Sequence, residues 1–215
     1  MTHAVLGTGM VGKAIATKLR SLGHEVHMGS RTADNAAATA WAAEHGGRAA
    51  TFADAAAAAG IVWNCTSGGA SLEALRLAGA ENLAGKILID LANPLDFSQG
   101  FPPILSVQGR DSLGEQIQRS FPQARVVKTL NTMNCLLMVD PTRVPEPTDV
   151  FVSGDDAAAK ATVIGILQSF GWAAPIDLGD ISTARGTEAW LPLWVRLYGT
   201  LGTPDFNLKL VRARG

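Results

Sequence analysis

The sequence predicts an α/β fold, a doubly wound parallel sheet, and three observations carry the prediction. Short apolar runs that suit buried strands recur at residues 3–7, 25–29, 61–65, 86–92 and 125–130. Helix-like segments separate them, the alternation expected of parallel strands joined by crossover helices. A glycine-rich turn stands between the first strand and the first helix.

Taken in order, residues 3–7 form the first strand. The turn Gly7-Thr8-Gly9-Met10-Val11-Gly12 opens a helix in which Val11, Ile15, Ala16 and Leu19 share one face, and Gly23 is placed to stop it. The second strand, 25–29, follows. Residues 49–52 are a weaker candidate for a further strand, and the alanine run from Ala55 to Ala59 reads as helix filler. The strands at 61–65, 86–92 and 125–130 complete the sheet. PTRVPEPTD then holds three prolines and cannot continue a helix or an inner strand. The boundary is therefore placed at 140, with residues 1–140 as the main domain and 141–215 as a small C-terminal α/β portion that completes a cleft. That portion holds an extended run at 150–153 and an amphipathic helix after Gly154-Asp155-Asp156. A second extended run at 173–178, one long helix at about 182–201 and an apolar FNLKLV tail follow. Trp190, Trp194 and Leu197 fall on one face of the long helix. The plain reading of that stripe is core or a homodimer contact; the alternative is a cleft wall.

Composition narrows the function classes. The chain has 215 residues, 47% hydrophobic and 17% charged, with a formal net charge of −1. These values fit a folded globular protein and give no basic excess for nucleic acid. Cys65 and Cys135 lack any metal-ligand spacing or disulfide pattern, which suits a reducing compartment, and no metal is expected. With no charged and apolar leader and no long apolar span, a cytoplasmic protein without membrane contact is expected. His3, His24, His27 and His45 all lie in the N-terminal region and read as helix-end or surface residues.

The chemistry sits in the glycine turn. G-x-G-x-x-G between a strand and a helix is the Rossmann-type arrangement. Gly7 permits the tight turn, Gly9 lets backbone approach a diphosphate, and Gly12 lets the helix pack on the strand. Thr8, Met10 and Val11 lie within the same turn, and the phosphates meet free N–H groups at the positive end of the helix. An NAD-preferring unit would carry an acid after the second strand. Here Ser30, Arg31 and Thr32 offer hydroxyls and a guanidinium, so the expected cofactor is NADP(H). Other candidates come from strand ends: Thr66, Ser67 and Gly68 after the IVWNC run, Asn93 and Pro94 after KILIDLA, and Asn131 after RVVKTL. Asn93 and Asn131 are the leading pair. No catalytic acid or base stands out, and Lys128 reads as structural. Hydride exchange between two ring cofactors needs none, because positioning supplies most of the catalysis.

The run GTGMVGKAIATKLRSLGHEVHMGSR resembles the N-terminus of the F420-dependent NADP oxidoreductases, as do the NP after the fifth strand, VKTLNT after the sixth and the arginine-rich tail. The resemblance implies a Rossmann domain with a small C-terminal portion, an oligomer, and hydride transfer between NADPH and the deazaflavin coenzyme F420. It assigns Gly7, Thr8, Gly9 and Gly12 to the diphosphate and Ser30 and Arg31 to the 2′-phosphate. It places Ser67, Pro94 and Asn131 near the nicotinamide. Two stretches depart from the family pattern. Ala33-Asp34-Asn35-Ala36 lacks a further basic residue, and NPLDFSQGFPPILSVQGRDS does not match the acceptor-side loop closely. The alternatives are a reductase of a small carbonyl or imine and a noncatalytic NADP-sensing module.

Overall fold

The computed structural model describes residues 1–213. The chain runs β1 (Thr2–Leu6), α1 (Met10–Ser21), β2 (Glu25–Ser30), α2 (Ala36–His45), β3 (Arg48–Thr51), α3 (Phe52–Ala58) and β4 (Ile61–Asn64). Next come α4 (Gly68–Ala78), α5 (Ala80–Leu83), β5 (Ile87–Asp90), a small hairpin of β6 (Leu95–Asp96) and β7 (Ile104–Leu105), α6 (Leu113–Ser120) and β8 (Arg125–Thr129). The last elements are α7 (Cys135–Val139), β9 (Phe151–Ser153), α8 (Ala157–Phe170), β10 (Ile176–Gly179), α9 (Ala184–Ala189) and α10 (Leu191–Leu201).

Eight strands form one sheet in the order β10-β9-β8-β5-β4-β1-β2-β3. Neighbours are parallel throughout except β8 and β9, which pair antiparallel. From β1 the chain winds outward to β2 and β3, then returns to β4 and continues on the other side. The reversal leaves a crevice beyond the carboxyl ends of β1 and β4, where sheets of this kind bind ligands. Both faces of the sheet are covered, so its strands are apolar on both sides. Val5 and Trp63 join the cluster under α1 and α8, whereas Ala4, Leu6 and Val62 join the cluster under α3, α4 and α6.

Several expectations change in the fold. The alanine run is more than filler. Ala55 and Ala56 are wholly buried, and a Cβ on Gly29 would stand 3.2 Å from the Ala55 Cβ, so α3 lies too close to β2 for larger side chains. The long helix at 182–201 is two helices that meet at Trp190. Pro192 lacks an N–H and its ring crowds the carbonyl four residues back, which interrupts the ladder there. Past residue 140, β9 and β10 extend the same sheet as the first strands. The tail is fixed by Asp149 N–H donating to the Leu208 carbonyl at 2.9 Å and by a Lys209–Glu146 ion pair at 2.7 Å. Arg214 and Gly215, the end of the arginine-rich tail, lie outside the described residues.

Two histidines are buried rather than at the surface. His27 inside β2 contacts Glu25, and His3 in β1 is 1% exposed. His3 Nδ1 accepts a hydrogen bond from the Trp63 indole at 3.1 Å. Burial first, then the neighbouring charges of His24 and the N-terminus, lower the His3 pKa to about 4. The unfolded chain takes up this proton near pH 6.5, the folded chain only near 4. The His3 contribution to stability is therefore intact above pH 6.5 and lost as pH falls toward 4, on the order of 3 kcal/mol. Urea unfolding of wild type and His3→Asn across this window checks it: the wild-type advantage should shrink with acid, and a constant difference would contradict the assignment.

Candidate active site

The glycine turn is held in place by backbone contacts. Gly7 has φ of 119°, and a Cβ there would stand 2.7 Å from the Cys65 carbonyl oxygen. Its N–H donates to the Gly29 carbonyl at 3.0 Å, which ties the turn to the end of β2. A Cβ on Gly12 would lie 2.0 Å from the Gly7 oxygen, so α1 starts directly against the turn. Gly9, the N-cap of α1, differs. No side chain caps this helix end, and a Cβ on Gly9 would meet nothing within 4 Å. The first N–H groups of α1 therefore face open space, free for an anion.

Beside this turn runs a groove of about 300 Å³ lined by Gly7, Thr8, Gly9, Ser30, Arg31 and Thr66, among others. Ser30 is buried, and its hydroxyl donates to the Thr32 carbonyl at 2.5 Å, leaving its lone pairs available. Arg31 is exposed and Thr32 also faces solvent, outside the groove lining. A guanidinium and a hydroxyl, with no carboxylate ending β2, suit a 2′-phosphate. Asn35, in the departing stretch, is taken up capping α2 through Ala37 and Ala38.

Past Cys65, Thr66 and Ser67, which border both spaces, the groove meets a cleft of about 830 Å³. Met10, Val11, Gly68 and Asn93 stand on its floor side. Leu191, Trp194 and Tyr198 of the C-terminal helices form the opposite wall, with Phe97 from the hairpin at the mouth. Trp194 thus serves as cleft wall rather than core. Its ring stacks on Tyr198 and Phe206 at centroid separations of 5.6 and 5.4 Å. Gly68 is required by contact: a Cβ would lie 2.0 Å from the Asn93 carbonyl oxygen.

The Asn93–Asn131 pair meets, but each largely serves the other. The Asn93 amide donates to the Asn131 carbonyl at 2.8 Å, and the Asn131 amide returns a bond to Asn93 Oδ1 at 2.9 Å. Asn131 is buried, so only Asn93 borders the cleft; Pro94 is buried behind it. The lining carries no histidine, carboxylate, lysine or arginine. Burial first, then the charge of Asp90, pushes the Cys65 thiol up, so it stays protonated and is no nucleophile.

Sequence reasoning reached Phe97 through the strand-end stretch after KILIDLA, but it missed the wall residues Leu191, Tyr198 and Pro204, whose only signal was the tryptophan stripe. It also missed a buried ionic cluster. Lys128 Nζ lies 2.8 Å from both Asp90 Oδ2 and Glu188 Oε1, with all three side chains sealed from solvent. Burial pulls the Lys128 pKa down, but the two carboxylates outweigh it and hold the amine above its ordinary value.

Residues 2–94 match the family model of NADP oxidoreductase, coenzyme F420-dependent. A solved structure from Arthrobacter sp. FB24, described as a candidate F420-dependent NADP-reductase, is 57% identical with a TM-score of 0.96, covering 99% of this chain and 100% of that one. The chain belongs to the F420-dependent NADP oxidoreductase family. This family member is also 29% identical over 208 residues to the F420-dependent NADP reductase of Methanothermobacter marburgensis, 92% of each chain. It is 33% identical over 119 residues to Metalloreductase STEAP3 of Rattus norvegicus, 54% of this chain but 22% of that one. The shared stretch there is far shorter than the rat protein. No helix among the described residues is long and apolar enough to cross a membrane, and no group of three His, Cys, Asp or Glu is placed to hold a metal ion.

Proposed function

We propose that this chain transfers hydride between NADP(H) and a flat ring acceptor, with coenzyme F420 as the native one. The observation that supports the reading most is the 830 Å³ cleft, apolar, aromatic on one side and lined by no histidine, carboxylate, lysine or arginine. NADPH, when bound, supplies the hydride. Around it, the open N–H groups at Gly9 and α1 hold the diphosphate, and Arg31 and Ser30 hold the 2′-phosphate. Thr66, Ser67, Gly68 and Asn93 line the nicotinamide end. Leu191, Trp194 and Tyr198 keep water out and give a ring a surface to stack on.

Arg31→Asp should weaken NADPH relative to NADH by at least about tenfold, or 1.4 kcal/mol. Titrating both nucleotides against nicotinamide fluorescence checks it, and an unchanged ratio removes Arg31 from the phosphate. The reaction itself is tested by following NADPH oxidation with oxidised F420 and with FMN. Turnover with the deazaflavin alone supports hydride exchange between cofactors. Tight binding of NADPH with no turnover on either moves the reading to a carbonyl or imine reductase or to a sensor.

The partner surface is read as a homodimer contact, because α10 leaves Leu193 and Leu201 more than half exposed. A monomer at micromolar concentration would overturn it. Cys65 and Cys135 are free thiols, which supports a cytoplasmic setting.

A further inference from the structure

The buried cluster around Lys128 links the two sides of the cleft. On the floor side, Lys128 donates to the carbonyl of Ala92, the residue before Asn93, and to Asp90. Asp90 Oδ1 in turn accepts from the Asn64 amide at 2.8 Å, and Asn64 Oδ1 accepts from the Thr66 hydroxyl at 2.7 Å. Thr66 borders both the groove and the cleft. On the wall side, Lys128 meets Glu188 on α9, two residues before Trp190 and six before Trp194. The Glu188 carboxylate also accepts the N–H groups of Leu113 and Gly114 at 2.8 and 3.0 Å, so the first turn of α6 holds it from a third side. A continuous series of bonds therefore crosses β4, β5 and β8 and ends at the wall.

Apolar anchoring of that wall is thin. On α10 only Leu191 and Val195 are buried, and beside the Lys128–Glu188 contact the wall is tied by the Trp190 indole donating to the Thr132 carbonyl at 3.1 Å, by the Trp194 ring stacked on Phe206 and by an Arg185–Glu115 ion pair from α9 to α6. A buried cation between two carboxylates is also a poor means of gaining stability alone, since apolar groups of like size often do as well. What directional bonds of fixed length provide is a fixed separation. We propose that Lys128, Asp90 and Glu188 are positioning residues that set the wall of α9 and α10 at the spacing from the β4–β5 floor that the acceptor ring requires. The inference rests on the reading of the cleft as the acceptor site.

Glu188→Gln tests it, because the amide keeps the shape and leaves Lys128 paired with Asp90. Two readouts are taken on the full chain. Hydrogen exchange of the amides at 190–201 should quicken about tenfold while those of β1, β4 and β5 stay unchanged. The KM for F420 should rise at least about fivefold, with the NADPH dissociation constant within about twofold. A merely structural role would lower the melting temperature and move both ligands together, or neither, and that result overturns the proposal. Glu188→Asp, which keeps the charge but withdraws it by one methylene, should shift both readouts the same way by less, and it serves if the glutamine variant does not fold. Should the wild type fail to oxidise NADPH with F420, the acceptor reading falls. Exchange then decides the positioning role alone: faster wall amides uphold it, and unchanged ones overturn it.

Discussion

Gly12→Ala is expected to cost the protein both stability and cofactor. The new methyl would be 2.0 Å from the Gly7 carbonyl oxygen and 2.9 Å from its carbon, and both are backbone atoms that no rotamer change can move. Either α1 lifts away from β1 or the turn opens, and each route separates the helix N-terminus from the loop it faces. Overpacking of this kind costs about 1–3 kcal/mol, and backbone contact places it at the upper end. NADPH affinity should fall about a hundredfold, close to 3 kcal/mol. Gly9→Ala is the matched comparison, since its methyl would enter open space. It should leave urea unfolding unchanged yet weaken NADPH, because the methyl occupies the space through which backbone would reach a phosphate. Equal stability losses for the two variants would refute the division of labour between the glycines.

Lys128→Ala should be the most destabilising single change in the sheet. The side chain has no solvent exposure, and its removal strands Asp90 and Glu188 as buried carboxylates that have lost their shared cation. Breaking such an arrangement from one side costs about 3–5 kcal/mol, much of it the penalty of an unpaired buried charge. Replacing all three members by apolar residues should recover only part of the loss, because the Asn64 amide and the N–H groups of Leu113 and Gly114 would lose their acceptors, as unfolding of the single and triple variants would show. A Lys128→Ala protein within about 1 kcal/mol of wild type would mean that water or a shift of α9 satisfies the carboxylates.

The parts of the site that were legible in the sequence depend on local geometry. Gly7, Gly9 and Gly12 are required within one turn, and Ser30-Arg31 follows directly from where β2 ends, so spacing alone identifies them. The wall was not legible because its members are far apart in the chain. Phe97 and Tyr198 reach one cleft from a hairpin and a helix about a hundred residues apart, and no periodicity links them. Lys128 could be read as structural, but Glu188, sixty residues further on, carried no sign of being its partner. Pro192 did signal the break at Trp190, and the regular tryptophan stripe masked it. His3 read as a helix-end or surface residue in the sequence, and only the strand pairing shows it sealed between β2 and β4.

The strip of Cys65, Thr66 and Ser67 that borders both groove and cleft translates a shape into a sequence of events. A dinucleotide lying across that strip becomes part of the surface on which the second molecule must rest, so the larger cleft is complete only after the smaller groove is filled. The nucleotide should then arrive first and leave last. Initial-rate lines should intersect, and oxidised nucleotide should compete with NADPH alone, leaving the acceptor unable to rescue an enzyme already holding the wrong dinucleotide.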